Sequence, residues 1–176
     1  MWAVGKLPRV PSAIGDGTVD VRGLTAADAK SIATWRHPPE LATYDFLADD
    51  LDALALSSDL FRSITSDGEL VGYVCLGAQA RVPGLEPSER YDDIGWGLRP
   101  DLVGRGLSGT VLSAAIDRLK AEGSATAPEL RIVVLDWNLR SLSAAERPGF
   151  SRAGTHRAPE GLFVVMTRPW SLPSGA

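Results

Sequence analysis

A mixed αβ sheet with helices on both of its faces is the fold class that this sequence predicts. Three observations predict it: the order of the elements, a hairpin signal in the first half, and an amphipathic helix in the second half. The elements read β-α-α-β-β-β-α-β-α-β-β, and a hairpin-led start followed by β-α-β is typical of such a sheet. The 176 residues fit one domain, which we place at residues 19–170, after an arm (1–18) and before a tail (171–176).

The first strand and the first helix have recognisable boundaries. A short strand is predicted over residues 19–22, and Thr25 then precedes Asp28 by three residues, a capping-box-like helix start. We expect this helix to end near His37, because two prolines follow and cannot continue it.

A helix and a hairpin come next. Residues 47–57 are rich in Leu and Ala and predict a second helix. Asp67-Gly68 is a strong turn signal between two strand-like runs, at residues 61–65 and 70–76, so these runs predict a β-hairpin.

The second half contains the clearest helix, at residues 106–121. Its apolar residues form one stripe, made of Leu107, Val111, Leu112, Ala115, Ile116 and Leu119. The remaining predicted elements are strands at 93–98, 130–135, 150–155 and 162–167, and a helix at 139–146.

Composition and charge exclude several classes of protein. The net charge of -4 argues against a general nucleic-acid binder. No run approaches 18 apolar residues, so we expect no membrane span. Cys75 is the only cysteine, which suits a reducing cytoplasm. His37 and His156 lack the spacing of metal ligands, so no metal site is predicted.

The glycine turn before the long helix is the strongest functional signal. Gly104, Gly106 and Gly109 surround the helix start, where unpaired amides and the helix dipole suit a phosphate. Arg99 and Arg105 could add charge-assisted contacts to such a phosphate. The alternative is a glycine-rich connection that merely turns the chain.

Two further glycines, Gly95 and Gly97, lie inside the strand that leads to this turn. Glycine within a strand often marks a bulge or the close approach of a ligand. The alternative is a sharply twisted strand packed under a large neighbour such as Trp96.

At these residues the sequence resembles the GCN5-related N-acetyltransferases, the GNAT family. Their phosphate turn reads Gln/Arg-x-x-Gly-x-Gly/Ala; residues 103–108 match its central glycine at Gly106, with Val103 and Ser108 replacing the outer residues. Residues 138–150 are similar to the family's Asn-x-x-(Ala/Ser)…Glu-Lys-x-Gly-Phe segment. The likeness runs from about residue 19 to 170. Within the family, the sequence resembles the branch that contains ribosomal-protein alanine acetyltransferases.

The resemblance implies a GNAT-like, mostly antiparallel twisted sheet of about seven strands. It implies transfer of an acetyl group from acetyl-CoA to a primary amine of a small molecule or a peptide N-terminus, by direct attack. A homodimer stays open. The turn and the resemblance together predict these cofactor-binding residues: Leu98, Arg99, Val103, Gly104, Arg105, Gly106, Leu107, Ser108, Gly109, Asn138 and Ser141. The amide near Leu98 would face the developing oxyanion.

The family's two usual proton-transfer groups are missing. Ala145 stands where a tyrosine protonates the thiolate in many members, and Val133 stands where the alanine acetyltransferases have a glutamate base. Asp93 is the predicted base, because the neighbouring Asp92 can raise its pKa. A solvated acidic strand start is the alternative for Asp93.

Several residues keep two interpretations. Asn138 would hydrogen-bond the cofactor or a water, or cap a helix, and Ser141 would relay a proton or be an ordinary helix serine. Four aromatic residues would line an acceptor pocket or fill the core: Trp35, Tyr44, Phe46 and Trp96. The competing function is an acyl-CoA-binding or sensing module with little or no catalytic activity.

Overall fold

The computed structural model describes residues 19–46 and 58–171. Its strands are β1 (Val19–Gly23), β2 (Phe61–Ser66), β3 (Glu69–Leu76), β4 (Tyr91–Leu98), β5 (Glu129–Leu135), β6 (Ser151–Ala158) and β7 (Gly161–Pro169). Its α-helices are α1 (Ala26–Ala33), α2 (Ser108–Ala121) and α3 (Leu139–Glu146). The predicted arm, the predicted helix over residues 47–57 and the tail beyond Ser171 lie outside the described residues.

The seven strands form one sheet in the order β1-β2-β3-β4-β5-β7-β6. Every neighbouring pair is antiparallel except β4 and β5, which run parallel. The predicted mixed, mostly antiparallel sheet is therefore confirmed. Asp67 and Gly68 both have positive φ, at 49° and 81°, as a two-residue hairpin turn between β2 and β3 requires.

Helices cover both faces of the sheet, as predicted. Successive side chains of a strand point to opposite faces, and in β3 Val74 joins one apolar cluster while Cys75 joins another. The cluster around Val74 contains the predicted apolar stripe of α2, together with Leu142 and Ala145 of α3. The cluster around Cys75 contains the buried side of α1.

Helix α1 begins as predicted but ends earlier. The side chain of Thr25 accepts from the amide of Asp28, which completes the capping box. The last helical residue is Ala33, not a residue near His37. The chain leaves the helix because Trp35 is buried in the aromatic cluster and the Arg36 guanidinium donates to the Ala33 carbonyl at 2.9 Å.

Helix α2 begins at Ser108, two residues later than predicted. Gly104 and Gly106 have φ values of +82° and +76°, which no right-handed helix contains. These glycines therefore form a turn that leads into the helix. In the described part of the chain, none of the helices is long and apolar enough to cross a membrane.

Candidate active site

A cleft of about 770 Å³ opens where β4 and β5 separate. The two strands are paired only from Tyr91 to Asp93 on β4 and from Glu129 to Arg131 on β5. Beyond that point β4 continues beside β3, and the gap toward β5 becomes the cleft. The cleft is lined by the end of β4, the residues that follow β5 (Trp137 and Asn138), the start of α2, the exposed side of α3 and the 3-10 helix Pro39–Tyr44.

The main chain of β4 faces this gap at alternate residues. The amide of Arg99 donates to the Val71 carbonyl at 2.9 Å, so Arg99 is hydrogen-bonded to β3. In an antiparallel pair the next residue along directs its N–H and C=O the other way. Leu98 and Trp96 therefore present their main-chain groups to the cleft.

Close side-chain neighbours explain Gly95 and Gly97. A Cβ at Gly97 would lie 2.6 Å from Tyr73 Cζ, and one at Gly95 would lie 2.9 Å from Cys75 Sγ. The pairing of β3 with β4 runs from Gly72–Leu98 to Leu76–Ile94 without a register shift. Gly95 and Gly97 therefore leave room for the side chains of Cys75 and Tyr73 on β3. This agrees with the alternative interpretation, in which the strand packs against a large neighbour, but that neighbour is Tyr73 and not Trp96.

The start of α2 forms one end of the cleft and offers main-chain hydrogen-bond donors that can bind an anion. No side chain caps the helix at Leu107, and the first amides of a helix have no partner within it. Together with the helix dipole, they can hold a phosphate group. The cleft-lining residues of the predicted turn are Val103, Gly104, Gly106, Leu107, Ser108 and Gly109.

Two of these residues also have structural partners. The Ser108 hydroxyl accepts a hydrogen bond of 2.8 Å from the Trp96 indole, which ties the start of α2 to β4. Gly109 lies against α3, because a Cβ there would be 2.7 Å from Arg147 Cδ and 3.0 Å from the Ala144 carbonyl. Gly109 therefore permits close packing of α2 on α3.

The arginines at the cleft differ from the predicted ones. Arg99 binds Asp101 at 2.7 Å and the Leu70 carbonyl at 3.0 Å, and neither it nor the exposed Arg105 is among the cleft-lining residues. Arg140 and Arg147 of α3 line the cleft instead. Arg147 donates to the Gly106 carbonyl at 3.3 Å. Sequence spacing could not reveal them, because α3 meets the turn only in the folded chain.

Asp93 lies outside the cleft, which corrects the prediction that it is the base. Its side chain is 4% exposed and is paired with Arg131 at 2.6 Å and with Arg81 at 3.1 Å. A carboxylate held by two guanidinium groups serves the fold, since its lone pairs are already engaged. The position of Asp93 at the paired end of β4 also separates it from the part of the strand that faces the gap.

Asn138 is the N-cap of α3, so the capping interpretation describes its side chain. Its Oδ1 accepts from the Ser141 amide at 3.1 Å, and its Nδ2 donates to the Tyr44 hydroxyl at 3.0 Å. Both Asn138 and Ser141 line the cleft. Because the cap assigns Oδ1 as the acceptor and Nδ2 as the donor, the oxygen of Tyr44 accepts the hydrogen bond from Asn138, and this hydrogen bond does not use the hydroxyl proton of Tyr44.

The four aromatic candidates divide between the cleft and the core. Tyr44 and Trp96 line the cleft. Trp35 and Phe46 belong to the aromatic cluster on the α1 face, where both rings contact Tyr73. Burial raises the pKa of Tyr44, against hydrogen bonds from Asn138 and from the Leu135 main chain, so its hydroxyl keeps its proton.

His37 is a cleft residue that the sequence did not single out for chemistry. Its Nδ1 lies 2.6 Å from Asp45 Oδ1, and its Nε2 lies 3.2 Å from the Leu98 carbonyl oxygen. The two side chains are only 11% and 12% exposed. No local pattern connects His37 to Asp45 or to β4. In the described part of the chain, no His, Cys, Asp or Glu group of three or more could hold a metal ion.

Three comparisons relate the chain to known proteins. The family model described as "Acetyltransferase (GNAT) family" matches residues 26–150, more than half of the chain. A search of curated proteins found no match.

Solved structures share the fold. The aminoglycoside acetyltransferase AAC(6')-Ib in complex with coenzyme A and kanamycin has a TM-score of 0.70 at 22% identity, over 86% of this chain and 95% of that one. A GNAT-family acetyltransferase from Bacillus anthracis has a TM-score of 0.67 at 14% identity, over 86% and 95%. The yncA protein of Salmonella typhimurium, solved with acetyl-CoA, has a TM-score of 0.62 at 14% identity, over 89% and 96%. The chain therefore belongs to the acetyltransferase (GNAT) family and is an acyltransferase.

Proposed function

We propose that this protein transfers an acetyl group from acetyl-CoA to an amine of a small, positively charged molecule by direct attack. The observation that carries the proposal is the cleft between β4 and β5, which combines exposed main-chain groups along one wall with unpaired helix amides at one end. A long cofactor with an anionic pyrophosphate and an amide-containing arm matches both features.

The anionic part of the cofactor belongs at the start of α2. The turn at Gly104 and Gly106 leaves room there, since a Cβ at Gly106 would have no atom within 4 Å. Arg140 and Arg147 add positive charge on the facing wall. These contacts would let a protein of net charge -4 bind a strongly acidic ligand.

The pantetheine arm belongs along β4, where it can hydrogen-bond to the main chain of Trp96 and Leu98. The Leu98 amide would then donate to the thioester oxygen and stabilise the negative charge that forms when the amine attacks. Positioning the two substrates contributes a large share of the acceleration, because it replaces a bimolecular encounter by an oriented one.

The leaving thiolate needs a proton, and Tyr44 is the group we propose to supply it. Ala145, at the position of the family tyrosine, is fully buried and carries no proton to give. Tyr44 reaches the same cleft from the 3-10 helix, with its proton unused by Asn138. The raised pKa of Tyr44 keeps the hydroxyl protonated until the thiolate forms.

The other end of the cleft suits an amine. Glu40 is its acidic residue, and the half-exposed Trp137 offers an aromatic face there, 6.3 Å from the Tyr44 ring. A carboxylate and an aromatic ring both attract a cation. Because AAC(6')-Ib was solved with kanamycin, we propose an amine-bearing small molecule as the acceptor class, and the competing acceptor is a peptide N-terminus.

A pair of glycine variants tests the cofactor site. Gly106→Asp puts a carboxylate at the start of α2, and we expect roughly 100-fold weaker binding of acetyl-CoA, equivalent to about 2.7 kcal/mol. Gly123→Asp is the matched control, because Gly123 has a similar φ of +75°, has equally open surroundings, and follows the far end of the same helix. Calorimetry with acetyl-CoA measures both. Equal affinity of the two variants would refute the assignment.

Release of free thiol during incubation with an amine panel tests the activity itself. The panel contains kanamycin, spermidine and an alanyl peptide. Burial raises the pKa of Cys75, the single cysteine, to about 12, so the protein itself contributes little thiol signal. Tight acetyl-CoA binding without thiol release from the panel would instead favour the acyl-CoA-binding module.

A further inference from the structure

We propose that the acceptor is a primary amine joined through a short chain to an apolar ring, and that four side chains of the cleft hold this ring. We call these side chains the apolar wall: Leu41, Tyr44, Trp137 and Leu139. The inference rests on the proposed acetyl transfer and narrows the class of its acceptor.

Trp137 and Leu139 expose large apolar side chains at the cleft. Their exposed fractions are 47% and 68%, and in the described part of the chain they are the two large apolar residues that stand exposed. Single exposed apolar residues are common on protein surfaces, but these two lie together at one cleft and flank a single residue, Asn138. Their joint position indicates a surface that a ligand of the cleft covers.

A fixed turn holds these two side chains in place. The Asn138 amide donates to the Leu135 carbonyl at 2.9 Å, and the Leu139 amide donates to the Trp137 carbonyl at 2.9 Å. The buried side chain of Asn138 caps α3 and donates to Tyr44. Because the turn is already ordered, covering Trp137 and Leu139 costs little chain entropy.

The 3-10 helix supplies the other half of the apolar wall. The Tyr44 ring lies 6.3 Å from the Trp137 ring, with 53° between their planes. Leu41 precedes Tyr44 by three residues, and side chains three residues apart share a face of a 3-10 helix. The apolar wall thus combines two aromatic rings with two leucines, which suits a flat apolar group.

The apolar wall lies within reach of the proposed reaction centre. His37 Nε2 is 3.2 Å from the carbonyl oxygen of Leu98, so the 3-10 helix begins beside that strand residue. From there the segment Pro39–Tyr44 rises by about 10 Å. One small molecule can therefore place its amine near Leu98 and its ring on the apolar wall. Glu40, which is exposed and has no ion-pair partner among the described residues, attracts the cationic amine to this end.

Thiol release with 2-phenylethylamine and ethylamine as probe acceptors tests the inference. We expect Trp137→Ala to lower kcat/KM for 2-phenylethylamine roughly tenfold more than for ethylamine. Each loss compares two enzymes with the same amine, so the different basicities of the two amines cancel. The additional loss should appear in KM, because the apolar wall contacts the ring equally before and during the transfer.

Three further variants sharpen this test. Trp137→Phe keeps an aromatic face and should keep most of the kcat/KM for 2-phenylethylamine, whereas Leu139→Ala should lower it severalfold. Leu85→Ala is the matched control for Leu139→Ala, since Leu85 is a partly exposed leucine that does not line the cleft. A Leu139→Ala rate equal to that of Leu85→Ala, together with equal losses for both amines in Trp137→Ala, would refute the apolar wall as an acceptor site.

Two other occupants of the apolar wall are outcomes of the same variants. Calorimetry that shows weaker binding of acetyl-CoA to Trp137→Ala would assign the apolar wall to the cofactor and overturn the inference. A wild-type dimer that Trp137→Ala converts into a monomer in sedimentation would assign it to an interface between copies, with the same consequence. We expect unchanged acetyl-CoA affinity and an unchanged oligomeric state.

Thiol release separates this inference from the proposed function. Its absence with every amine, 2-phenylethylamine included, would refute the proposed function. Thiol release in which Trp137→Ala slows both probe amines equally would refute only the acceptor class.

Discussion

The hydroxyl of Tyr44 illustrates how a single residue obtains its chemistry from distant partners. Helix α3 needs a cap, Asn138 provides it, and the orientation of that amide leaves the Tyr44 oxygen as an acceptor. The hydrogen bond with Asn138 therefore does not use the proton of Tyr44, which lines the cleft. The cap of α3 and the proposed proton donor are thus connected through the carboxamide of Asn138.

Removing this hydroxyl gives a prediction at the residue scale. We expect Tyr44→Phe to lower kcat roughly 100-fold, because the thiolate then leaves without its proton donor, while the affinity for acetyl-CoA stays the same. Steady-state thiol release and calorimetry measure the two quantities. Tyr91→Phe is a suitable control, since Tyr91 stacks on Arg90 and Arg131 outside the cleft. An unchanged kcat in Tyr44→Phe would remove Tyr44 from the mechanism.

The sequence predicts the role of a residue well only where that role depends on residues close to it along the chain. Gly106 could be placed from its pattern, because a positive φ before a helix is a local property. Tyr44 could not, since its partner Asn138 lies 94 residues further along the chain. Asp93 shows the same limit: the sequence places Asp92 next to it, but the folded chain pairs its carboxylate with Arg131.

At the scale of an element, α1 is held by a buried carboxylate at its first turn. Asp28 accepts hydrogen bonds from Arg22 at 2.6 Å, from the Thr25 hydroxyl at 2.7 Å and from Ser63 at 2.8 Å. Burial raises the pKa of Asp28, but these hydrogen bonds outweigh it and hold the pKa well below its ordinary range. The carboxylate thereby connects the helix to β1 and β2.

This network predicts how stability depends on pH. Since the folded-state pKa of Asp28 is depressed, its contribution is complete above the unfolded-state value of about 3.9 and is lost as the pH falls through the folded value. We expect Asp28→Asn to lower the free energy of unfolding by about 1–3 kcal/mol at pH 7. The gap between the variant and the wild type should narrow below about pH 4.

Denaturant unfolding at pH 7 and pH 3 measures this difference. Asp67→Asn is the matched control, because Asn-Gly suits the turn between β2 and β3 and Asp67 has positive φ there. A deficit of Asp28→Asn that stays constant from pH 7 to pH 3 would show that the carboxylate charge is not what stabilises the helix.

The existence of most elements follows from the sequence, but some of their ends do not. The stripe of α2 and the Asp67-Gly68 turn are local patterns, and both are found where they were predicted. The end of α1 depends on Trp35 joining an aromatic cluster with Phe61 and Tyr73, which lie far along the chain. Strand β4 begins at Tyr91, before the predicted residue 93, because β5 pairs with it there.

At the scale of the whole molecule, the divergence of β4 from β5 creates the site. Its charges are unevenly placed: Arg140 and Arg147 lie near the start of α2, whereas Glu40 lies on the 3-10 helix that follows His37. On the proposed function, this arrangement would separate an end for the anionic cofactor from an end for a cationic amine. The net charge of -4 does not reveal this separation of charges, because a net charge does not say where the charged residues lie.

The overall topology was predictable only in part. The alternation of elements indicates a mixed sheet, and the resemblance to the GNAT family implies its strand number. The point of divergence, after Asp93 and Arg131, depends on which residues of two non-consecutive strands pair. The cleft walls, and with them His37, Tyr44 and the two arginines of α3, follow from that geometry.

Amide chemical shifts during titration with coenzyme A test the central claim most directly, namely that the cofactor lies along β4 with its pyrophosphate at the start of α2. With ¹⁵N-labelled protein, we expect saturable shifts of the Gly104, Gly106 and Ser108 amides, accompanied by those of Trp96 and Leu98. The amides of β1 should stay unchanged. Shifts confined to residues outside the cleft, or no shifts at millimolar coenzyme A, would contradict the account.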